Sequence, residues 1–571
     1  MCGIFFSIGF ENLSALVIDS VSHRGPDGRG WNEFSSPNDL VVMAHRRLAI
    51  VDLSSDGHQP MSSEDKRYWV TYNGEIYNYH EIRKDLEALG CIFKTKTDTE
   101  VLLKSYIQWG ADCLNHFNGM FAFAIWDDKE KFFFAARDRF GIKPLYYYKQ
   151  ADKIAFASEI KQFKHLPNWK SVLHQEMADE YLEKGYCDHK VETLFKNVFQ
   201  LLPGEYVCSN SNGSLSFSSW YKLKNHISSK GISDRQAINT FKELFADAIK
   251  LRLRADVPIG TCLSGGLDSS SIVSVVRKIQ GAIQKIYTFS SVFPSHKVDE
   301  SVYIDEIVSQ KNLTSYKNYP LCGGFLENLD SILYYQDLPF SGTSIFAQWK
   351  TFESAKETGV TVLLDGQGAD ESLLGYSWML DTVVFDYLKK LDILNLSRFI
   401  CWQSKYNNRP IKQIILSAIQ QRFPRILYIL LKILNRPTPV QHFKKLATLN
   451  EVCLEHFYNN LQTLLRYADR NSMAFSRESR LPFLDYRLVE FIFSLPINKR
   501  LRGAETKWIL RKSMQGINVD SILNRQDKIG FATPENDWFE KLKNSDNMRH
   551  INFSSFKNFI FARWCENNGF I

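Results

Sequence analysis

The chain is poor in the features that would tie it to a membrane span, a zinc ribbon or a secretory route. No stretch of its 571 residues reaches the roughly 18 uninterrupted apolar positions of a membrane-spanning helix. The longest candidate, ILYILLKIL at 426–434, is short and carries Lys432. The start has neither the basic flank nor the long apolar run of a signal peptide. Ten cysteines are scattered with no CxxC pair, so zinc ribbons and thioredoxin-like redox sites lose support. These absences together predict a cytoplasmic protein with reduced thiols. A formal charge of +7 is small for this length; it permits anionic substrates but does not mark a nucleic-acid binder. There is no internal repeat. What is present is core material: 44% hydrophobic and 14% aromatic residues, too much for disorder and enough for two or three domains.

Residues 1–210 read as strand-rich. DLVVMAHRRLAIV, RYWVTYNGEIYN, MFAFAIWD, KFFFAARD, PLYYYK and KIAFAS are short apolar or aromatic runs divided by Gly, Asn, Asp and Lys. Helical periodicity appears between them in YHEIRKDLEALG and in DTEVLLKSYIQWG, the second stopping on Gly110. This predicts stacked sheets flanked by helices. Ser, Gly and Asn dominate SNSNGSLSFSSW and NHISSKGISD, which fits a last hairpin turn and then a linker over 211–235. From 236 to 571 the pattern first alternates: VPIGTCL, KIYTFSSVF and GVTVLLD as buried strands, SSIVSVVRKI as a helix. That alternation predicts a doubly wound parallel sheet. Residues 376–571 read as mostly helical.

The segment CLSGGLDSSSIV sets Leu263, Ser264, Gly265, Gly266, Asp268, Ser269 and Ser270 between a buried strand and a helix. Two adjacent glycines let backbone N–H groups turn inward, and a helix N-terminus adds partial positive charge, so the loop can hold phosphate. Asp268 can bring Mg2+ to those phosphates. The loop is neither a Walker A sequence nor the dinucleotide GxGxxG. A second loop, VLLDGQGADE, puts Asp365, Gly366, Asp370 and Glu371 beyond another apolar strand. Loops at the carboxyl ends of neighbouring strands converge on one ligand in open α/β sheets, so Asp268 and Asp370 are expected to share one Mg2+. SGGLDSS resembles the pyrophosphate loop of ATP pyrophosphatases, which activate carboxylates or carbonyls as adenylates.

Cys2 directly follows the initiator methionine. Flanking it in order are HRGPDGRG, AHRRLAIVD, YNGEIYNY, KTDTEVLL, FNGMFAFAIWD, RDRFGIKPLYY and ASEIK. These segments resemble the N-terminal-nucleophile glutaminase domain of class II amidotransferases. With SGGLDSS behind them, the chain resembles glutamine-hydrolysing asparagine synthetases from Cys2 to about Thr533. The resemblance implies an αββα four-layer sandwich over 1–210 and an ATP-pyrophosphatase domain with extra helices over 236–571. It also implies roles. An α-amino group titrates near ~7.7–8.0 and a free thiol near ~8.5, so once Met1 is removed Cys2 carries its own base. Arg47 would clamp the glutamine α-carboxylate, Glu75 and Asp98 would hold its ammonium, and Asn73 with the Gly74 N–H would form the oxyanion hole. Ammonia released there would travel through a dry internal channel to an acyl-adenylate made from ATP. Lys507 in AETKWILRK would stabilise adenylylation and the departing pyrophosphate. In SRESRLPFLDYRLVEF, Glu478, Arg480 and Asp485 would organise the carboxylate-acceptor site, with the substrate-touching residue among them left open. The expected partners are glutamine, ATP with Mg2+ and a carboxylate acceptor, foremost aspartate. No nucleic acid is expected, and a homodimer is compatible.

Two departures stand out. The better-studied asparagine synthetases carry Ser-Gly-Glu-Gly where this chain has Asp365-Gly366-Gln367-Gly368. A glutamine cannot take a proton from attacking ammonia. Either another base serves, Glu478 being one option, or the acceptor is another carboxylate such as a sugar uronic acid or a peptide. The second departure is 389–445, where twelve Lys or Arg face one acid, Asp392. The apolar segments IKQIILSAIQ and RILYILLKIL lie within it, a composition suited to a membrane surface, a partner, or a helix packed on its own domain. A binding protein on a decayed enzyme scaffold is the third reading, opposed by the intact reactive residues.

Overall fold

The computed structural model describes residues 1–35, 39–209, 214–228, 231–389, 391–406, 409–423, 432, 448–526, 532–543 and 555–570. The apolar runs of the amino-terminal half form two six-stranded antiparallel sheets. One contains Gly3–Ile8 between Leu40–Arg47 and Lys153–Ala157, extended by Gly28–Ser35 on one side and by Tyr146–Gln150 and Val198–Gln200 on the other. The other runs Leu215–Ser219, Glu205–Ser209, Phe132–Arg137, Gly119–Asp127, Tyr68–Ile76, Met61–Ser62.

Alternation along single strands builds the layers. Ile4 and Phe6 point between the sheets, with Ala122, Ala124, Trp126 and Phe133; Phe6 stacks on Phe133 at 4.3 Å between ring centroids. Phe5 points the opposite way, onto Val17, Ile18, Ile160 and Phe163 of the outer helical layer. Phe121, Phe123 and Ile125 pack outward with Ile82, Leu86, Val101 and Leu102 of helices Tyr79–Ala88 and Asp98–Trp109. The result is helix, sheet, sheet, helix. The hairpin partner Leu215–Ser219 lies within the stretch expected as linker, so the second sheet ends beyond residue 210.

The second half is built on a five-stranded sheet with every pair parallel: Thr314–Asn318, Tyr287–Ser291, Ile259–Cys262, Val362–Leu364, Glu478–Arg480. The first strand in the chain, Ile259–Cys262, lies in the middle. The chain builds outward on one side, then crosses to the other at Val362. The loops after these two central strands therefore diverge and open a crevice. Helices Asp234–Arg252 and Leu267–Gln280 cover one face, and Ser344–Glu357 covers the other. The described residues of 376–571 are mostly helical, and Glu478–Arg480 is a strand within them that the helical reading did not include. A three-residue Glu-Ser-Arg strand has no apolar signature, yet all three residues are buried.

Charge is buried between the halves. Arg24, fully buried, pairs with Glu159 (2.8 Å) and with Asp469 (2.9 Å) of helix Asn460–Ala474. Arg466 of the same helix pairs with Asp188 (2.9 Å). Removing one member of such a network strands its partners without water. Asp469→Ala is expected to cost about 3–5 kcal/mol, read as a lowered urea midpoint.

Candidate active site

Cys2 lies at the start of Gly3–Ile8, a central strand. Its backbone N–H donates to Asn73 Oδ1 (2.9 Å), and its carbonyl accepts from Arg24 Nε (2.9 Å). The nucleophile candidate is thus fixed from both sides of its peptide. Burial pushes the Cys2 thiol up; the chain amino terminus, the Leu48 N–H and the Arg47 guanidinium act in the opposite direction. Asn73 Nδ2 is buried with no hydrogen-bond partner, a donor on offer beside the thiol. Gly74 is required by close approach: a Cβ there would overlap the Met120 carbonyl on the neighbouring strand.

A small cavity of about 30 Å³ adjoins the thiol and brings together Cys2, Arg47, Gly74, Glu75 and Asp98. Arg47 leaves the end of Leu40–Arg47 and donates to the carbonyls of Ser54 (2.5 Å) and Asp52. Gly57 makes room for it, since a Cβ at that position would overlap the guanidinium. Gly57→Ala is therefore expected to displace the fork and raise KM for glutamine at least tenfold or so, with kcat changed less. Asp98 accepts from the Tyr72 hydroxyl (2.9 Å) and the Ile76 N–H (3.0 Å), and burial still pushes its carboxyl up. Glu75 is raised further, by burial and by Glu478. Two carboxyl groups in this condition make a receptor for a cationic group. Gln59, Tyr72 and Thr99 also line the cavity; no local pattern marks them in the sequence.

The second cavity, about 350 Å³, occupies the crevice of the parallel sheet. Leu263, Ser264, Gly266, Asp268, Ser269, Asp365, Gly366, Gln367, Asp370 and Lys507 line it. Gly266 caps helix Leu267–Gln280, so the positive end of fourteen residues of helix faces the space. Ser269 Oγ accepts from the Ser264 N–H (3.1 Å) and shapes the loop. Gly265 adopts φ +78°, the left-handed turn that glycine tolerates. Ser270 lies in the helix behind, fully buried. Burial pushes the Asp365 carboxyl up to about 6.

Lys507 reaches between the two expected metal ligands, pairing with Asp268 and with Asp370 Oδ1 (2.5 Å). Burial works against its ammonium, but the two carboxylates outweigh that and hold its pKa up. Asp268 Oδ1 remains buried without a hydrogen-bond partner. Two carboxylates against one ammonium leave a net negative charge, and the chemistry suits a hard cation that completes its shell with phosphate oxygens and water. Among the described residues no group of three or more His, Cys, Asp or Glu could hold a metal alone.

Glu478 and Arg480 are elsewhere. They do not line the second cavity. Glu478 lies 3.4 Å from the Met1 amino group, and Arg480 pairs with Glu478 (2.6 Å) and approaches Glu75 (3.5 Å). Arg480 and the amino terminus outweigh burial and hold Glu478 below the usual carboxylate range. The expectation that they organise the acceptor site meets a different placement: their strand lies at the sheet edge against the amino-terminal half, and their side chains contact the Met1 amino group and Glu75. The backbone of the same strand touches the second cavity, because the Arg480 carbonyl accepts from the Asp365 N–H (2.9 Å). Asp485 caps helix Tyr486–Ser494 and is held by Arg252 (3.0 Å), Arg487 and Asn118. Glu371 is buried and accepts from the Tyr376 hydroxyl (3.0 Å). Most of RILYILLKIL lies outside the described residues. Among the described residues no helix is long and apolar enough to cross a membrane.

Comparison with known proteins agrees with this two-cavity architecture. Residues 1–221 match the family model described as a glutamine amidotransferase domain, and 240–555 match the one described as asparagine synthase. The chain is 30% identical over 559 residues to asparagine synthetase [glutamine-hydrolyzing] 3 of Bacillus subtilis, covering 92% of this chain and 86% of the relative. It is 29% identical over 562 residues to that organism's asparagine synthetase [glutamine-hydrolyzing] 1, covering 94% and 86%. Amidase chyE of Penicillium rubens is 26% identical over 592 residues, covering 91% and 84%. Two matched models that divide the chain where the antiparallel sheets give way to the parallel one, and relatives aligned almost end to end, lead to one statement: the chain belongs to the glutamine-dependent asparagine synthetase family of amidotransferases.

Proposed function

We propose that the chain transfers the amide nitrogen of glutamine to the side-chain carboxylate of aspartate, consuming ATP and giving asparagine, glutamate, AMP and pyrophosphate. The observation that carries this reading is the strand Glu478–Arg480: Arg480 approaches Glu75, which lines the Cys2 cavity, while its carbonyl holds Asp365 of the other. Two reaction centres sharing one strand suit two coupled half-reactions.

With Met1 in place the Cys2 nitrogen is an amide and cannot accept a proton. Its removal makes that nitrogen an amine, able to take the thiol proton directly or through water. Cys2 Sγ then attacks the glutamine side-chain carbonyl, and Asn73 Nδ2 donates to the developing oxyanion. The Arg47 fork takes the α-carboxylate, while Glu75 and Asp98 take the ammonium. Ammonia leaves, and water hydrolyses the thioester. In the second cavity the loop 264–269 and the helix N-terminus receive the ATP phosphates. Asp268 and Asp370 would hold Mg2+, which when bound offsets phosphate charge. The acceptor carboxylate attacks the α-phosphorus, and Lys507 stabilises the pyrophosphate that departs. Ammonia, passed internally from the first cavity, attacks the acyl carbon. Gln367 cannot take the proton released, but Asp365 can, since burial lifts it to about 6 in the same cavity.

Incubation of the Met1-processed protein with glutamine, ATP, Mg2+ and aspartate should yield asparagine and AMP in equal amounts. The decisive control is aspartate-dependent exchange of labelled pyrophosphate into ATP. Its absence in a preparation that still hydrolyses glutamine would exclude aspartate and point to another carboxylate.

A further inference from the structure

Helices Ile393–Tyr406 and Ile411–Arg422 have an inner face that the fold uses and an outer face that it does not. Phe399, Trp402, Ile414 and Ala418 are buried and join the large core with Leu380 and Val383. Outward stand Leu391 (82% exposed), Ile393, Leu394, Ile411, Ile415 and Leu416. No other stretch of this length among the described residues exposes as many large apolar side chains. Exposed Arg398, Lys405 and Lys412 stand among them. Helical spacing interleaves the two kinds: Leu394 with Arg398 and Lys412 with Leu416 are each four positions apart, so apolar and cationic groups share one surface.

Electrostatics selects the occupant. Between 389 and 447 the chain has twelve Lys or Arg and one acid, more than its whole formal charge of +7, so the remainder is net acidic. The one acid, Asp392, accepts hydrogen bonds from Asn395 (2.8 and 3.2 Å). The adjoining segment 424–447 carries five Lys or Arg and no acid, so its composition offers this face no complementary charge. The same face of a second copy offers none either. Protein interfaces are depleted in Lys and anchored by Trp, Tyr and Arg; this surface offers Leu and Ile with Lys405, Lys412 and a single arginine, Arg398. Lysine stems that run along apolar surface and end in water are what a headgroup boundary accommodates. We propose that the outer face of these two helices docks the protein on an anionic lipid surface. The inference is independent of the acceptor in the proposed reaction.

Sedimentation of the full chain with vesicles of phosphatidylcholine containing about one-third phosphatidylserine tests it against vesicles of phosphatidylcholine alone. Binding is expected to the anionic vesicles only and to weaken with salt. The triple variant Arg398→Gln, Lys405→Gln, Lys412→Gln is expected to bind on the order of a hundredfold more weakly. Leu391→Ser with Leu394→Ser and Ile415→Ser should also detach. Both variants should hydrolyse glutamine as the parent does, which shows that they fold. Equal binding to both vesicle types, binding to neither, or a neutralised variant that binds like the parent overturns the proposal. So does retention by an immobilised acidic polypeptide without vesicle binding. A parent dimer that the serine variant converts to a monomer would assign the face to a second copy instead.

Discussion

Cys2→Ala is expected to lower glutamine hydrolysis by at least about 10⁴-fold while leaving ATP-dependent amide formation from added ammonium nearly intact. The expectation rests on separation. The thiol is the nucleophile that the first cavity contributes, and removing a nucleophile removes the thioester route as a whole. Asn73, Arg47 and the two carboxyl groups continue to bind glutamine, so the variant should show near-parental affinity with almost no turnover. Nothing in the second cavity contacts Cys2: the loops 264–269 and 365–370 are built from strands and helices of the other half. Retention of Met1 should reproduce the loss with the thiol present, because the Cys2 nitrogen is then an amide donating to Asn73. Glutamate release and ammonium-supported AMP formation, measured on the same preparations, check both halves. A Cys2→Ala protein that still released glutamate near the parental rate would overturn the assignment of the nucleophile.

The strands of the amino-terminal half were legible because each buries alternate or consecutive aromatic residues. MFAFAIWD sends Phe121, Phe123 and Ile125 to one layer and Ala122, Ala124 and Trp126 to the other, and such a pattern survives in one dimension. The helix ending at Gly110 was legible from a glycine that takes φ +57° there. Glu478–Arg480 was not. Its stability comes from Val362–Leu364 beside it and from Glu75 and the amino terminus in front, all distant in sequence. A polar strand that completes a sheet at a domain junction looks like a charged surface segment until its partners are known. Motif resemblance placed Glu478 and Arg480 at the acceptor site, whereas the parallel register with Val362 sets them against Glu75 and the amino terminus. The phosphate-type loop lies between these extremes. Its glycines, serines and Asp268 were readable, whereas Lys507, 239 positions away from Asp268, joins them only through the fold.

Lys507→Ala carries the second large expectation, a fall of about 10²–10³-fold in ATP-dependent amide formation with glutamine hydrolysis unchanged. Lys507 holds a left-handed backbone (φ +53°) that disfavours a side chain, directly before helix Trp508–Ser513. The fold sustains that conformation and thereby delivers an ammonium between Asp268 and Asp370. The ammonium offsets one of two negative charges; in the proposed reaction it would also serve the departing pyrophosphate. Its loss is expected to lower two readouts. The rate of adenylate formation falls, because the charge developing on pyrophosphate loses its donor. The Mg2+ concentration at half-maximal rate also falls, because two carboxylates without a competing ammonium bind a divalent cation more tightly. Asp268→Asn should move the second readout the other way, raising the Mg2+ requirement while also lowering the rate. A purely structural role for Lys507 would depress the rate of both halves together and leave the Mg2+ dependence where it was. Pyrophosphate exchange titrated with Mg2+, run beside glutamate release, separates the two cases.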